Sequence, residues 1–113
     1  MGLFGNKQEP AKQLSVPATV IFTCNSVPVH AKAVYWFEVS INDQPVGTAD
    51  QNGVPLTFTV TSDKSVLALA LYMKDISGKV TKYPGKKQKL ELRDGETVSV
   101  IFENRRFIVG AGR

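Results

Sequence analysis

Apolar and polar residues alternate with a period of two along most of this chain. Tyr35, Phe37, Val39 and Ile41 are apolar, while Glu38, Ser40 and Asn42 are polar. That spacing places the apolar set on one face of a β-strand. Val54, Leu56, Phe58 and Val60 repeat the pattern, with Thr57, Thr59 and Thr61 in the opposite phase. Between the two runs lie Asn42-Asp43-Gln44-Pro45-Val46-Gly47 and Asp50-Gln51-Asn52-Gly53. Asn, Asp and Gly tolerate positive φ and Pro fixes its own, so this segment reads as a turn-rich connector.

The same reading extends to the rest of the chain. Ala18, Val20, Phe22 and Cys24 share one face of a first strand over 18–24. Residues 25–32 form a loop or a short irregular strand. Val66 to Met73 is apolar in both phases: Leu67, Leu69, Leu71 and Met73 on one side, Val66, Ala68, Ala70 and Tyr72 on the other. Eight residues between two polar turns favour a strand over a helix. Tyr83-Pro84-Gly85 marks a bend, and Leu90 and Leu92, alternating with Lys89, Glu91 and Arg93, make that end a half-buried strand. Asp94-Gly95 suits a tight hairpin leading into Val98, Val100 and Phe102. Asn104-Arg105-Arg106 turns the chain again. Phe107-Ile108-Val109 makes a last strand, or continues the previous one past a bulge.

About seven or eight short strands and no helix predict an all-β fold. The expected architecture is an antiparallel β-sandwich, Ig-like or prealbumin-like, with a partly open barrel as the other form. Residues 1–15 read as a flexible tail, 16–109 as a single β domain and 110–113 as a frayed end. The length of 113 residues and the 42% apolar content support one core without a metal or disulfide staple.

Cys24 is the one cysteine, which excludes an internal disulfide and a cysteine-based zinc site. No apolar run approaches the roughly 20 residues of a membrane-spanning helix. The N-terminus lacks a signal-peptide core, and Asn6 stands where a myristoylation signal has Ser or Thr. The expected location is cytoplasmic. A peripheral membrane contact stays open through Leu3 and Phe4.

The net charge of +4 is unevenly spread. Residues 1–73 hold four lysines against five acids, whereas 74–113 hold six lysines and four arginines against five acids. Lys79, Lys82, Lys86, Lys87, Lys89 and Arg93 form a candidate anion-binding stretch. Nucleic-acid sites interleave cations with several aromatics. Tyr83 is the single local aromatic here, so the stretch reads as a lysine-guarded sheet edge and against nucleic acid. A Cys24–His30 catalytic pair has no supporting signature, and a lone histidine makes a poor metal site. No phosphate-cradling glycine loop, paired-carboxylate signature or metal spacing is present. Neither catalysis nor a cofactor is therefore expected.

A strand apolar on both faces should be covered on both. Val66, Ala68, Ala70 and Tyr72 are thus candidate interface residues, and Trp36, in the polar phase of its strand, is a further anchor. The candidate covers are the tail around Leu3 and Phe4, the Phe107–Val109 strand, a partner protein or a second copy.

Val39-Ser40-Ile41-Asn42-Asp43-Gln44-Pro45-Val46-Gly47 resembles the opening of PEGA-like domains and of small bacterial sandwich domains. Asn52-Gly53, the apolar strand that follows and Asp94-Gly95-Glu96 are similar to their later turns, as Met1-Gly2-Leu3-Phe4-Gly5 is to the start of many such proteins. The match covers roughly residues 34–103. Asp43-Gln44-Pro45 replaces the usual Gly-Lys, and Ser62-Asp63-Lys64 the usual Pro-Gly. The resemblance implies a non-catalytic accessory or interaction module and supplies no functional residues. The expected function is a structural or protein-interaction sandwich. The alternative is a basic module that binds nucleic acid or an anionic membrane through Lys79–Arg93.

Overall fold

The structure, a computed structural model, describes residues 11–25, 27–50 and 53–111. Among these residues the fold is all-β, with eight strands and no helix. The strands are β1 (Gln13–Cys24), β2 (Ala33–Ile41), β3 (Gln44–Asp50), β4 (Leu56–Ser62), β5 (Lys64–Asp75), β6 (Val80–Glu91), β7 (Thr97–Glu103) and β8 (Arg106–Ala111). They form two four-stranded sheets, one ordered β4-β1-β7-β8 and the other β3-β2-β5-β6. No helix among the described residues is long and apolar enough to cross a membrane.

The second sheet is antiparallel throughout. The first is mixed, because β1 runs parallel to β7 with Val20 opposite Val98 and Phe22 opposite Val100. This corrects the fully antiparallel expectation. Parallel partners need a long connection, and five intervening strands supply it here.

The expected apolar phases supply the core, except that Val54 lies before β4 and is 66% exposed. Ala18, Val20, Phe22 and Cys24 of β1, Phe37, Val39 and Ile41 of β2, Leu67 and Leu69 of β5, and Val98, Val100 and Phe102 of β7 are all buried. Phe37 of the antiparallel sheet meets Phe102 of the mixed sheet edge-on, with centroids 5.5 Å apart. The inner faces of the two sheets therefore share one sandwich-like core.

Four local readings change. The first strand begins at Gln13, five residues before Ala18, and Leu14 is buried, so residues 13–15 are strand and not tail. The connector between the first two alternating runs contains a strand, β3, hairpinned to β2 through Asn42 and Asp43 at φ 50° and 68°. Both central residues at positive φ match the two-residue hairpin turn whose twist suits the flanking strands. Asp94-Gly95 closes no hairpin, since β6 and β7 lie in different sheets. Its turn instead crosses between the sheets, fixed by Gly95 N–H donating to the Val16 carbonyl and by Asp94 accepting from the Ser15 amide at 2.8 Å. Finally, Tyr83-Pro84-Gly85 does not bend the chain away. β6 is one strand from Val80 to Glu91 with a bulge there: Tyr83 faces Leu71 and Lys86 faces Leu69, which leaves Pro84 and Gly85 together opposite Ala70.

The corner between β4 and β5 is a single residue, Asp63. Its carboxylate accepts from the Lys12 amide at 2.7 Å, its amide donates to the Lys12 carbonyl, and its carbonyl accepts from Leu92. One residue thereby ties the start of β1 to both sheet-crossing corners.

Candidate binding face

Opposite residues in an antiparallel ladder point to the same side of the sheet. The register therefore lays out the outer face of β3-β2-β5-β6. Trp36 on β2, Tyr72 on β5 and Lys82 on β6 stand in one row across three strands. The Trp36 and Tyr72 rings are stacked, with centroids 5.6 Å apart and planes 8° from parallel. Lys82 Nζ lies 5.8 Å from the Tyr72 centroid, within cation–π range. A second row holds Ser40, Ala68 and Lys87, and Val66 stands beside Lys89. Glu38 lies between the rows, opposite Ala70.

The bulge decides which lysines belong to this face. An unbroken period of two would put Lys82 and Lys86 on one side of β6 and Lys87 and Lys89 on the other. The extra residue at Pro84-Gly85 shifts the phase by one, so Lys82, Lys87 and Lys89 share the outer face and Lys86 takes the inner phase. Gly85 is required there. A β-carbon at that position would lie 1.4 Å from the Leu69 carbonyl oxygen.

The six-cation stretch is thus divided. Lys82, Lys87 and Lys89 are exposed on the outer face. Lys79 precedes β6 in its turn, and Arg93 lies in the sheet-crossing corner with Asp63, Lys64, Glu91, Leu92 and Glu96 around a shallow depression. Tyr83, the one local aromatic, pairs with Leu71 on the inner phase. The two candidate sets met separately along the chain, the lysines and the Val66–Tyr72 face with Trp36, become one surface in part. Lys74 and Glu38, outside both candidate sets, share it. The period-two phase from Tyr72 and Trp36 was the signal that could have included them.

The residues of this face are partly exposed: Val66, Ala68, Ala70, Tyr72 and Trp36 are each half-buried. Of the expected covers, the Phe107–Val109 strand is excluded, because β8 pairs with β7 at the edge of the other sheet. Leu3 and Phe4 lie outside the described residues.

Cys24 ends β1 in the core, opposite Phe102 and only 4% exposed. His30 is exposed in the β1–β2 loop, where its Nδ1 accepts the Lys32 amide at 3.0 Å. Among the described residues no group of three His, Cys, Asp or Glu side chains is placed to hold a metal ion. Among the described residues the acidic group with a displaced pKa is Asp75, the last residue of β5. The Ser77 hydroxyl, at 2.6 Å, and then the Lys79 amide, at 3.1 Å, hold its carboxyl below the ordinary aspartate range. No protein family, curated protein or solved structure matches the chain.

Proposed function

We propose that this chain is a non-catalytic interaction module that binds through the outer face of its antiparallel sheet. The observation behind this reading is the Trp36–Tyr72–Lys82 row. Two large aromatics held parallel on a half-exposed sheet face supply contact area at low side-chain entropy cost. Ala68, Ala70 and Ser40 beside them are short and leave room for a partner. We read the two sheets as a sandwich of Ig-like or prealbumin-like type. The PEGA-like relationship belongs to the same reading, and the Asn42-Asp43 hairpin turn supports it. So does a cytoplasmic setting, supported by the single buried cysteine.

A photo-crosslinking residue at Ala68, and separately at Thr59 on the outer side of the mixed sheet, tests the reading in the native host. Adducts at Ala68 and none at Thr59, reduced by Tyr72→Ser, are expected. Equal labelling at the two positions would reject the face as the binding surface.

A further inference from the structure

We infer that the partner of this face is a single-stranded nucleic acid, its phosphates along β6 and its bases over β5 toward Trp36. The inference rests on the interaction-module reading and names its ligand class. Four features of the face carry it.

The first is the placement of charge. Lys82, Lys87 and Lys89 lie along β6, with Lys74 at the end of the β5 row. The acids of the face are Glu38 on the inner strand β2, Asp50 opposite Trp36 on β3, and Glu91 at the end of β6 opposite Lys64. On this face β6 carries three lysines, Lys82, Lys87 and Lys89, against one acid, Glu91. Lys87 and Lys89 are two residues apart on one strand, about 7 Å, so they meet successive groups of an extended polyanion.

The second is the aromatic pair. Trp36 and Tyr72 are separated by 36 positions in sequence, yet they stack at 5.6 Å beside Lys82. Trp36 and Lys82 flank Tyr72 in the row, so the stacking surface for an unpaired base is that of Trp36, with cations beside it. The basic stretch lacked such aromatics only as long as its neighbours were counted along the chain.

The third is the floor between lysines and rings. Ala68, Ala70 and Ser40 have short side chains, and a depression of about 240 Å³ beside Ala68 is lined also by Asn42, Asp43, Val66 and Lys87. Flat bases reaching from β6 toward β2 need that room.

The fourth is Glu38, in the middle of the face opposite Ala70. A carboxylate there repels an acidic peptide and would be desolvated by a lipid surface. Toward a base it is an acceptor for an exocyclic amine, such as the N4 amine of cytosine. Its charge opposes every polyanion, phosphates included, so Glu38 bears on which base is taken and not on which polyanion binds.

Trp36 is the one tryptophan in the chain, so its emission reports on the face directly. The test titrates the full chain with 12-nucleotide single strands, oligo(dT) and oligo(dC), at 50 and 200 mM salt. Quenching of Trp36 is expected, with log K falling against log salt at a slope of about −2 for three phosphate contacts. Lys87→Ala with Lys89→Ala should weaken binding at least tenfold and flatten that slope. Lys86→Ala, on the inner phase, should leave both unchanged. Glu38→Gln should narrow the difference between oligo(dC) and oligo(dT).

Absence of quenching at 100 μM oligonucleotide and 50 mM salt would overturn the inference. So would equal sensitivity to Lys86→Ala, which would reduce the effect to bulk charge. Poly-glutamate and vesicles of anionic phospholipid serve as parallel probes. If either one binds with the Lys87 and Lys89 dependence and the oligonucleotides do not, the ligand class is wrong while the binding face stands. If none of the probes binds and the Ala68 crosslinks are also absent, both readings fall.

Discussion

Gly85 lies against the backbone of Leu69 so closely that a β-carbon would meet its carbonyl oxygen at 1.4 Å. That contact belongs to the bulge that turns Lys87 and Lys89 outward. Gly85→Ala cannot be accommodated without moving β6. It should cost about 3 kcal/mol, at the upper end for overpacking, read from the urea midpoint. A variant with wild-type stability would show that the two backbones are not in this contact.

Ala70 faces Glu38 across the β2–β5 ladder and is half-buried. With β8 on the other sheet, no strand among the described residues covers Ala70, and the large penalty of a buried charge does not apply there. Ala70→Glu should cost about 1 kcal/mol, the price of like charges directly opposite, and Ala70→Lys should be neutral or stabilising. A loss of several kcal/mol for both variants in urea unfolding would mean that another layer covers the face.

Asp75 is held below the ordinary aspartate range by Ser77 and Lys79. A carboxyl with a depressed folded value contributes stability above its unfolded value and loses that contribution as the pH falls through the folded one. Asp75→Asn should therefore remove part of the acid dependence of unfolding below the ordinary aspartate range. Ser77→Ala should raise the Asp75 titration midpoint, read by carboxyl NMR. An unchanged midpoint would show that the Ser77 hydroxyl does not hold the carboxylate.

Arg105 sits at φ 65° in the two-residue turn between β7 and β8, next to Asn104 at φ 54°. A side chain in the left-handed region costs roughly 1–2 kcal/mol. Glycine removes that cost but adds unfolded-state entropy. Arg105→Gly, which makes Asn-Gly, should raise stability by up to about 1 kcal/mol. Arg105→Val should lower it, with the thermal midpoint as the readout for both.

Cys24 is 4% exposed, in register with Phe102. Its labelling by a thiol reagent should follow opening of the fold and slow in proportion to stability. Complete labelling within seconds under native conditions would contradict its place in the core.

The core was legible because burial imposes a period that each strand writes locally. Phe37, Val39 and Ile41 must face one way whatever strand lies beside them. The same holds for Val20 and Phe22 and for Val98 and Val100. The turn at Asn104-Arg105 was legible too, since backbone preference is a property of neighbouring residues. Pairing is not local. Asp94-Gly95 looks the same whether it joins two strands of one sheet or crosses between two sheets. Which it does depends on where β6 and β7 find partners, and those partners are β5 and β1.

The candidate face shows the same division. Alternation along the chain was enough to set Val66, Ala68, Ala70 and Tyr72 on one side of their strand. It could not bring Trp36 to Tyr72 or either of them to Lys82, because register across a sheet joins residues with no spacing rule between them. Nor could it sort the lysines. One extra residue in β6 reverses the phase of everything after it, and the need for that residue arises only where Gly85 meets the backbone of Leu69. Local alternation therefore determined which residues are buried, and the packing of strands distant in sequence decided which exposed residues stand together.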